Sequence, residues 1–130
     1  MRNKILPSIP DAYIVQNFNE DVRLHSTSGG MFSAIATYVL DIGGTVYGAA
    51  FDDAFFVRHI GVERKEDLVK LQESKYVQSY LGDCFKEIRK KLDDQKTICF
   101  SGTPCQIEGL LNYLGEDYDN LITVGVVCYG

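Results

Sequence analysis

TICFSGTPCQIEGLLNYLG, residues 97–115, is the stretch whose reading decides the fold. Residues 97–100 form a short apolar run of the length of a buried strand. Directly after it, three side chains meet the requirements of a helix start position by position. Thr103 offers an N-cap hydroxyl, Pro104 fills N1 where its missing N–H does no harm, and Gln106 at N3 completes a capping box. The helix then runs over residues 103–114 and Gly115 stops it. A second apolar run, LITVGVV at 121–127, reads as another buried strand. Two buried strands joined through a helix form a β-α-β unit and usually pair parallel.

Upstream, Met31, Phe32, Ile35, Ala36, Val39, Leu40 and Ile42 predict a helix buried on most of its circumference and stopped by Gly43 and Gly44. TVYGAAF at 45–51 and FFVRHIGV at 55–62 predict a hairpin across a turn at Asp52 and Asp53. Residues 66–72 read as a short helix and 83–92 as a longer one. The longer helix has Phe85, Ile88 and Leu92 inward, Asp83 as N-cap, and Lys86, Arg89, Lys90 and Lys91 toward water, with a supporting Glu87–Lys91 pair. Residues 12–18 have strand character behind an arm holding Pro7 and Pro10. The expectation is α/β: a mixed sheet, a parallel β-α-β unit in the second half, and helices packed on the sheet. The chain divides into an arm and strand (1–25), a first region (26–95) and a second (96–130).

Composition bounds the function. The 130 residues are 45% hydrophobic and 24% charged, which suits one globular domain. No apolar run approaches the roughly 18 residues of a membrane helix, and residues 1–25 lack the pattern of a signal peptide, so a cytoplasmic address is expected. A net charge of −5 argues against nucleic acid as a partner. The cysteines Cys84, Cys99, Cys105 and Cys128 form no C-x-x-C pair and no disulfide framework, and read as thiols. Cys84 and Cys99 fall within apolar patterns as small buried side chains.

Chemistry is expected where strand 97–100 gives way to its helix. Cys105 at N2 lies among unpaired amides at the positive end of the helix dipole, where a thiolate able to ligate a metal or react is stabilised. Gly102 lets backbone approach a ligand, at the strand end where α/β sheets bind their ligands. A well-capped helix with a buried cysteine is the alternative. A second helix start, STSGG at 26–30, brings hydroxyls and glycines able to hold a phosphate, or simply an N-cap with close packing. It is neither a Walker motif nor G-x-G-x-x-G. Lys75, Tyr76 and Gln78 lie in a polar loop able to grip an anion. Cys128 ends the last strand and could share a ligand with Cys105, but an iron–sulfur cluster normally takes four protein ligands. Neither His25 nor His59 has a recognisable catalytic spacing.

In this order, STSGGMFSAIATYVLDIGGTVYGAAF, ESKYVQS, FSGTPCQIEGLLNYL and the final VVCYG resemble the coenzyme F420 hydrogenase/dehydrogenase beta-subunit family over residues 26–130. The resemblance implies an iron–sulfur flavoprotein that passes electrons between clusters, FAD and an acceptor such as a deazaflavin. It implies flavin contacts from Ser28, Gly29, Gly30, Lys75, Tyr76 and Gln78, and a turn near the redox centre from Thr103, Pro104, Cys105 and Gln106. Cys105 and Cys128 become candidate cluster ligands, and a ferredoxin-like domain or redox protein the partner. The sequence departs from the pattern in lacking the family's cysteine-rich segments upstream and downstream, and in Tyr129, where His is common. It therefore reads as a fragment of a longer protein, in which a cluster is in doubt. The alternative reading is a non-catalytic electron-transfer or scaffolding subunit, as in relatives associated with polysaccharide biosynthesis.

Overall fold

The computed structural model describes residues 31–71 and 79–126. There the chain runs through α1 (Met31–Asp41), β1 (Thr45–Phe51), β2 (Val57–Val62), a 3-10 turn (Lys65–Leu71), α2 (Cys84–Asp93), β3 (Ile98–Gly102), α3 (Pro104–Leu114) and β4 (Leu121–Gly125). The strands form one sheet in the order β2-β1-β3-β4. β1 is antiparallel to β2 and parallel to β3, and β3 is parallel to β4. This is the mixed α/β sheet with its parallel β-α-β unit. The expected strand at 12–18 lies outside the described residues.

Alternation along the central strands loads both faces. β1 sends Val46 and Ala50 to one side, joined there by Cys99 of β3, and α1 covers them with Ala36, Val39 and Leu40 while the 3-10 turn adds Leu68 and Leu71. Tyr47, Ile98 and Phe100 point to the other side, beneath Ile88 and Leu92 of α2 and Leu110 and Leu114 of α3. α1 passes to β1 through Ile42, Gly43 and Gly44, so it runs antiparallel to that strand, and Met31 heads toward the carboxyl edge of the parallel strands. The glycine at 44 is a packing requirement. A Cβ there would sit 2.4 Å from the Thr97 carbonyl oxygen, which accepts the Thr45 N–H at 3.0 Å.

Four expectations need correction. α1 is buried or half-buried around most of its circumference, with Phe32 and Ile35 packed beside Ser33, Ala36, Val39 and Leu40, but Met31 lies on its exposed strip with Tyr38, and Ile42 past its end is exposed too. β2 begins at Val57, because the Asp52 carboxylate accepts from the Ala54 and Phe56 amides and holds residues 52–56 as a turn, leaving Phe55 and Phe56 in solvent. β4 stops at Gly125 and is half-buried, since it has a neighbour on one side only among the described residues.

The fourth concerns α2. Asp83 stands at its N-cap but its side chain makes no capping bond, and the inward row is Cys84, Ile88 and Leu92, with Phe85 half-buried. Its cations are not simply solvated. Arg89 donates to the carbonyls of Tyr113 and Leu114, capping the end of α3. Lys91 turns to Glu63 at 3.0 Å rather than to Glu87, and holds the Glu63 carboxyl below its ordinary range.

Leu110 is fully buried between α2 and the sheet. Leu110→Ala should therefore lower stability by about 2–5 kcal/mol in urea unfolding, whereas Tyr38→Ala, on the exposed side of α1, should change it by less than about 1 kcal/mol.

Candidate functional site

The turn from β3 into α3 has the local structure its sequence specifies. Thr103 is extended (φ −69°, ψ 160°), its hydroxyl accepts the Gln106 amide at 3.4 Å, and the Gln106 side-chain oxygen accepts the Thr103 amide at 3.0 Å. The Ile107 amide goes to the Thr103 carbonyl at 3.0 Å. Pro104 has no N–H, so the first-turn donors of α3 are the Cys105 amide at N2 and the Gln106 amide at N3, the latter given to the Thr103 hydroxyl. Gly102 is confined: a Cβ would meet both the Gln106 Oε1 and the Phe100 ring at 2.9 Å. The space on its Cβ side is thus filled by the protein itself, while Cys105 is exposed.

Cys105 is exposed, in contrast to Cys84 and Cys99. Its Sγ lies 3.1 Å from the Thr103 Oγ1, a contact in which either group can donate. The alternative of a buried cysteine under a capped helix does not hold here. Burial pushes the thiols of Cys84 and Cys99 up to about 12, and Glu87 adds to the effect at Cys84. A Cys–His nucleophile pair has no support at Cys105, since the one described histidine is bonded elsewhere.

That histidine, His59, is the residue sequence reasoning missed. It is 8% exposed on β2, its Nδ1 lies 2.7 Å from the Ser79 Oγ and its Nε2 2.7 Å from the Ser101 carbonyl oxygen. The ring stacks on Phe100 at 5.0 Å and 20°. A carbonyl only accepts, so Nε2 carries the proton, and in the neutral imidazole Nδ1 then accepts from the Ser79 hydroxyl. Burial holds the imidazole below its ordinary 6.5, and the bond to Ser101 opposes this in part. The available signal was positional: Val57 and His59 are inward on β2 and Arg58 is outward.

The structure therefore docks the end of ESKYVQS, at Ser79, on β2, and links it through the His59 ring to β3, the strand that enters the Thr103–Gln106 turn. Beside His59 an open cleft of about 300 Å³ runs along Arg58, Tyr80, Gly82, Asp83, Cys84 and Glu87. Ser28, Gly29, Gly30, Lys75, Tyr76, Gln78 and Cys128 lie outside the described residues. Met31, directly after the STSGG motif, heads to the same carboxyl edge as Thr103 but on the opposite face of the sheet. Among the described residues no group of three or more metal-ligating side chains gathers, and no helix is long and apolar enough to cross a membrane. A flavin finds a partial fit: the Cys105 amide and the Thr103 hydroxyl at the helix start suit a phosphate, whereas Asp83 and Glu87 make the cleft itself unsuited to one.

No protein-family profile matches the chain, and no curated protein does. Among solved structures it is similar to a chain of the F420-reducing [NiFe] hydrogenase complex from Methanosarcina barkeri, with a TM-score of 0.66 and 17% identity. The match covers 87% of this chain and 42% of that one, so the sequence spans less than half the length of its structural neighbour. At that identity the likeness concerns the fold.

The three described cysteines should separate by reactivity. In native alkylation at about pH 8, followed by peptide mass analysis, Cys105 should be modified at least ~10-fold faster than Cys84 or Cys99, because only the thiolate attacks and buried thiols stay protonated.

Proposed function

We propose that this chain is the flavin-binding α/β part of an oxidoreductase that passes electrons between iron–sulfur clusters, FAD and an acceptor such as a deazaflavin. The observation that carries the reading is the Thr103–Gln106 turn, with its capping box and exposed Cys105 at the carboxyl edge of the sheet, in a fold similar to that of the hydrogenase chain. Four motifs in the order of one flavoprotein family support it independently. In this reading Thr103, Pro104, Cys105 and Gln106 border the flavin through backbone and hydroxyl groups, and Ser28, Gly29 and Gly30 hold its phosphates or ribityl chain. Lys75, Tyr76 and Gln78 line it from the second loop. When bound, the flavin supplies the redox chemistry, and the chain positions it and sets its electrostatic surroundings.

Cys105 and Cys128 are the candidate thiolates for a cluster, which needs further ligands from a ferredoxin-like domain or a partner redox protein. A cytoplasmic address belongs to the same proposal. A non-catalytic electron-transfer or scaffolding subunit is the second reading, favoured by the neighbour's place in a multi-subunit complex. Turnover separates the two: reduction of a deazaflavin or a viologen dye without a partner makes the protein an enzyme.

The chain incubated with FAD should retain it through gel filtration with quenched flavin fluorescence. Gly29→Val should weaken that retention by ~10-fold or more, about 1.4 kcal/mol, by crowding the backbone amides at the STSGG start. Full retention by the variant would remove Ser28, Gly29 and Gly30 from the site, and a wild-type chain with no affinity for FAD would remove the flavin reading.

A further inference from the structure

His59 is in register with Ala49 across the antiparallel β1–β2 pair, so both side chains lie on the same face of the sheet. β1 stands between β2 and β3, yet the imidazole reaches Ser101 on β3. It crosses β1 at a residue with only a methyl side chain. On its near side, the chain emerging at Ser79 is docked on β2 by backbone bonds, His59 N–H to the Tyr80 carbonyl and Tyr80 N–H to the Val57 carbonyl, each 2.9 Å. The imidazole carries that docking across the sheet, ending two residues before Thr103.

We infer that His59 is a positioning residue. As the neutral Nε2–H tautomer lying over Ala49, it ties Ser79 to the Ser101 carbonyl, so that Ser79 with Tyr80 and the Thr103–Gln106 turn are held and released together. The inference rests on the flavin reading only for what these segments would hold.

Protonation is the natural release. A charged imidazole donates from Nδ1, so the Ser79 hydroxyl must turn from donor to acceptor, and the charge must sit in a buried place stacked on Phe100, which is where the cost arises. The titratable and charged groups around it are Arg58 on β2, Tyr80 beyond Ser79, and Asp83, Cys84 and Glu87 on α2 and its approach. β3 offers the Ser101 carbonyl and β1 offers Ala49. None of these forms an ion pair with the imidazole, and Arg58 is paired with Asp52 at 3.1 Å. With the folded-state pKa held below 6.5, an opened chain binds the proton more readily than the closed one. The contribution of the tie is complete above about 6.5 and is lost as pH falls through the lower, folded-state value.

The test uses the 130-residue chain without added FAD. Nitrogen NMR of the His59 ring at about pH 7.5 should show Nε2 protonated and Nδ1 bare, and an Nδ1–H tautomer would overturn the inference. In amide exchange, His59→Phe and Ala49→Leu should each speed the Tyr80 and Thr103 amides together by about tenfold or more, leaving Ile88 and Leu92 protected. His59→Gln, which keeps a donor near Nε2, should restore protection at Thr103. Acidification to about pH 5 should produce the same joint loss in the wild type but not in His59→Gln. Independent exchange of the two amides, or an equal acid response in His59→Gln, would refute it. If the variants unfold, the wild-type tautomer and acid response decide. FAD retention is scored separately: joint release in a chain that binds no FAD keeps this inference and removes the flavin reading, and FAD binding with independent segments does the reverse.

Discussion

The structure depends on removing β3 from water on both faces. Ile98, Cys99 and Phe100 are fully buried, so each successive side chain needs a partner layer, α1 and the 3-10 turn on one side and α2 with α3 on the other. A strand covered in this way cannot expose its backbone either: β4 pairs with it along its length, and β1 pairs with it over Ile98–Phe100. Polar atoms become accessible only where the strand ends. The chain reaches that edge at Ser101 and Gly102 and turns at once into α3, which places Cys105 and its exposed thiol where a buried layer meets solvent.

The same constraint explains why cysteines of one chemistry differ so much. Cys99 is an inward position of β3 and Cys84 an inward position of α2, and for both the surrounding apolar layers oppose a thiolate. Cys105 belongs to the first turn of α3, the part of that helix farthest from the Leu110 and Leu114 that anchor it. What differs is distance from the packed layers, set by a helix start whose capping residues fix the register.

Local signals were legible and long-range ones were not. Thr103, Pro104 and Gln106 act on one another within four residues, so the capping box could be read before any tertiary contact was known. Gly43, with φ at +81°, likewise marks the end of α1 by its own conformation. The apolar run at 121–127 was legible as a strand but not as one with a single neighbour among the described residues, because composition does not reveal how many neighbours a strand has. For the same reason Arg89 and Lys91 read as solvated. Their partners lie 24 to 46 positions away, at the end of α3, after β2 and at the start of β1. His59 likewise links groups 20 and 42 positions distant. A lone histidine in an apolar strand carries no mark of either bond, and the small Ala49 beside it matters only once β1 is known to lie between β2 and β3.

The described part of the site is thus assembled from segments that sequence order keeps apart. A fold likeness at 17% identity accounts for the sheet and its helices, and many chemistries use such a scaffold, so the functional argument has to rest on what stands at the carboxyl edge. There, a buried imidazole is a costly way to join two segments if packing alone were needed, since a hydrophobic residue of similar size could fill the space over Phe100. What the imidazole adds is direction: one nitrogen donates to a fixed carbonyl and the other accepts from a fixed hydroxyl, so the ring has a single orientation that satisfies both. Packing fixes how near two segments lie, and a paired donor and acceptor fix their alignment. In the proposed flavin site, presenting the Thr103 hydroxyl and the Cys105 amide to one ligand would depend on that alignment.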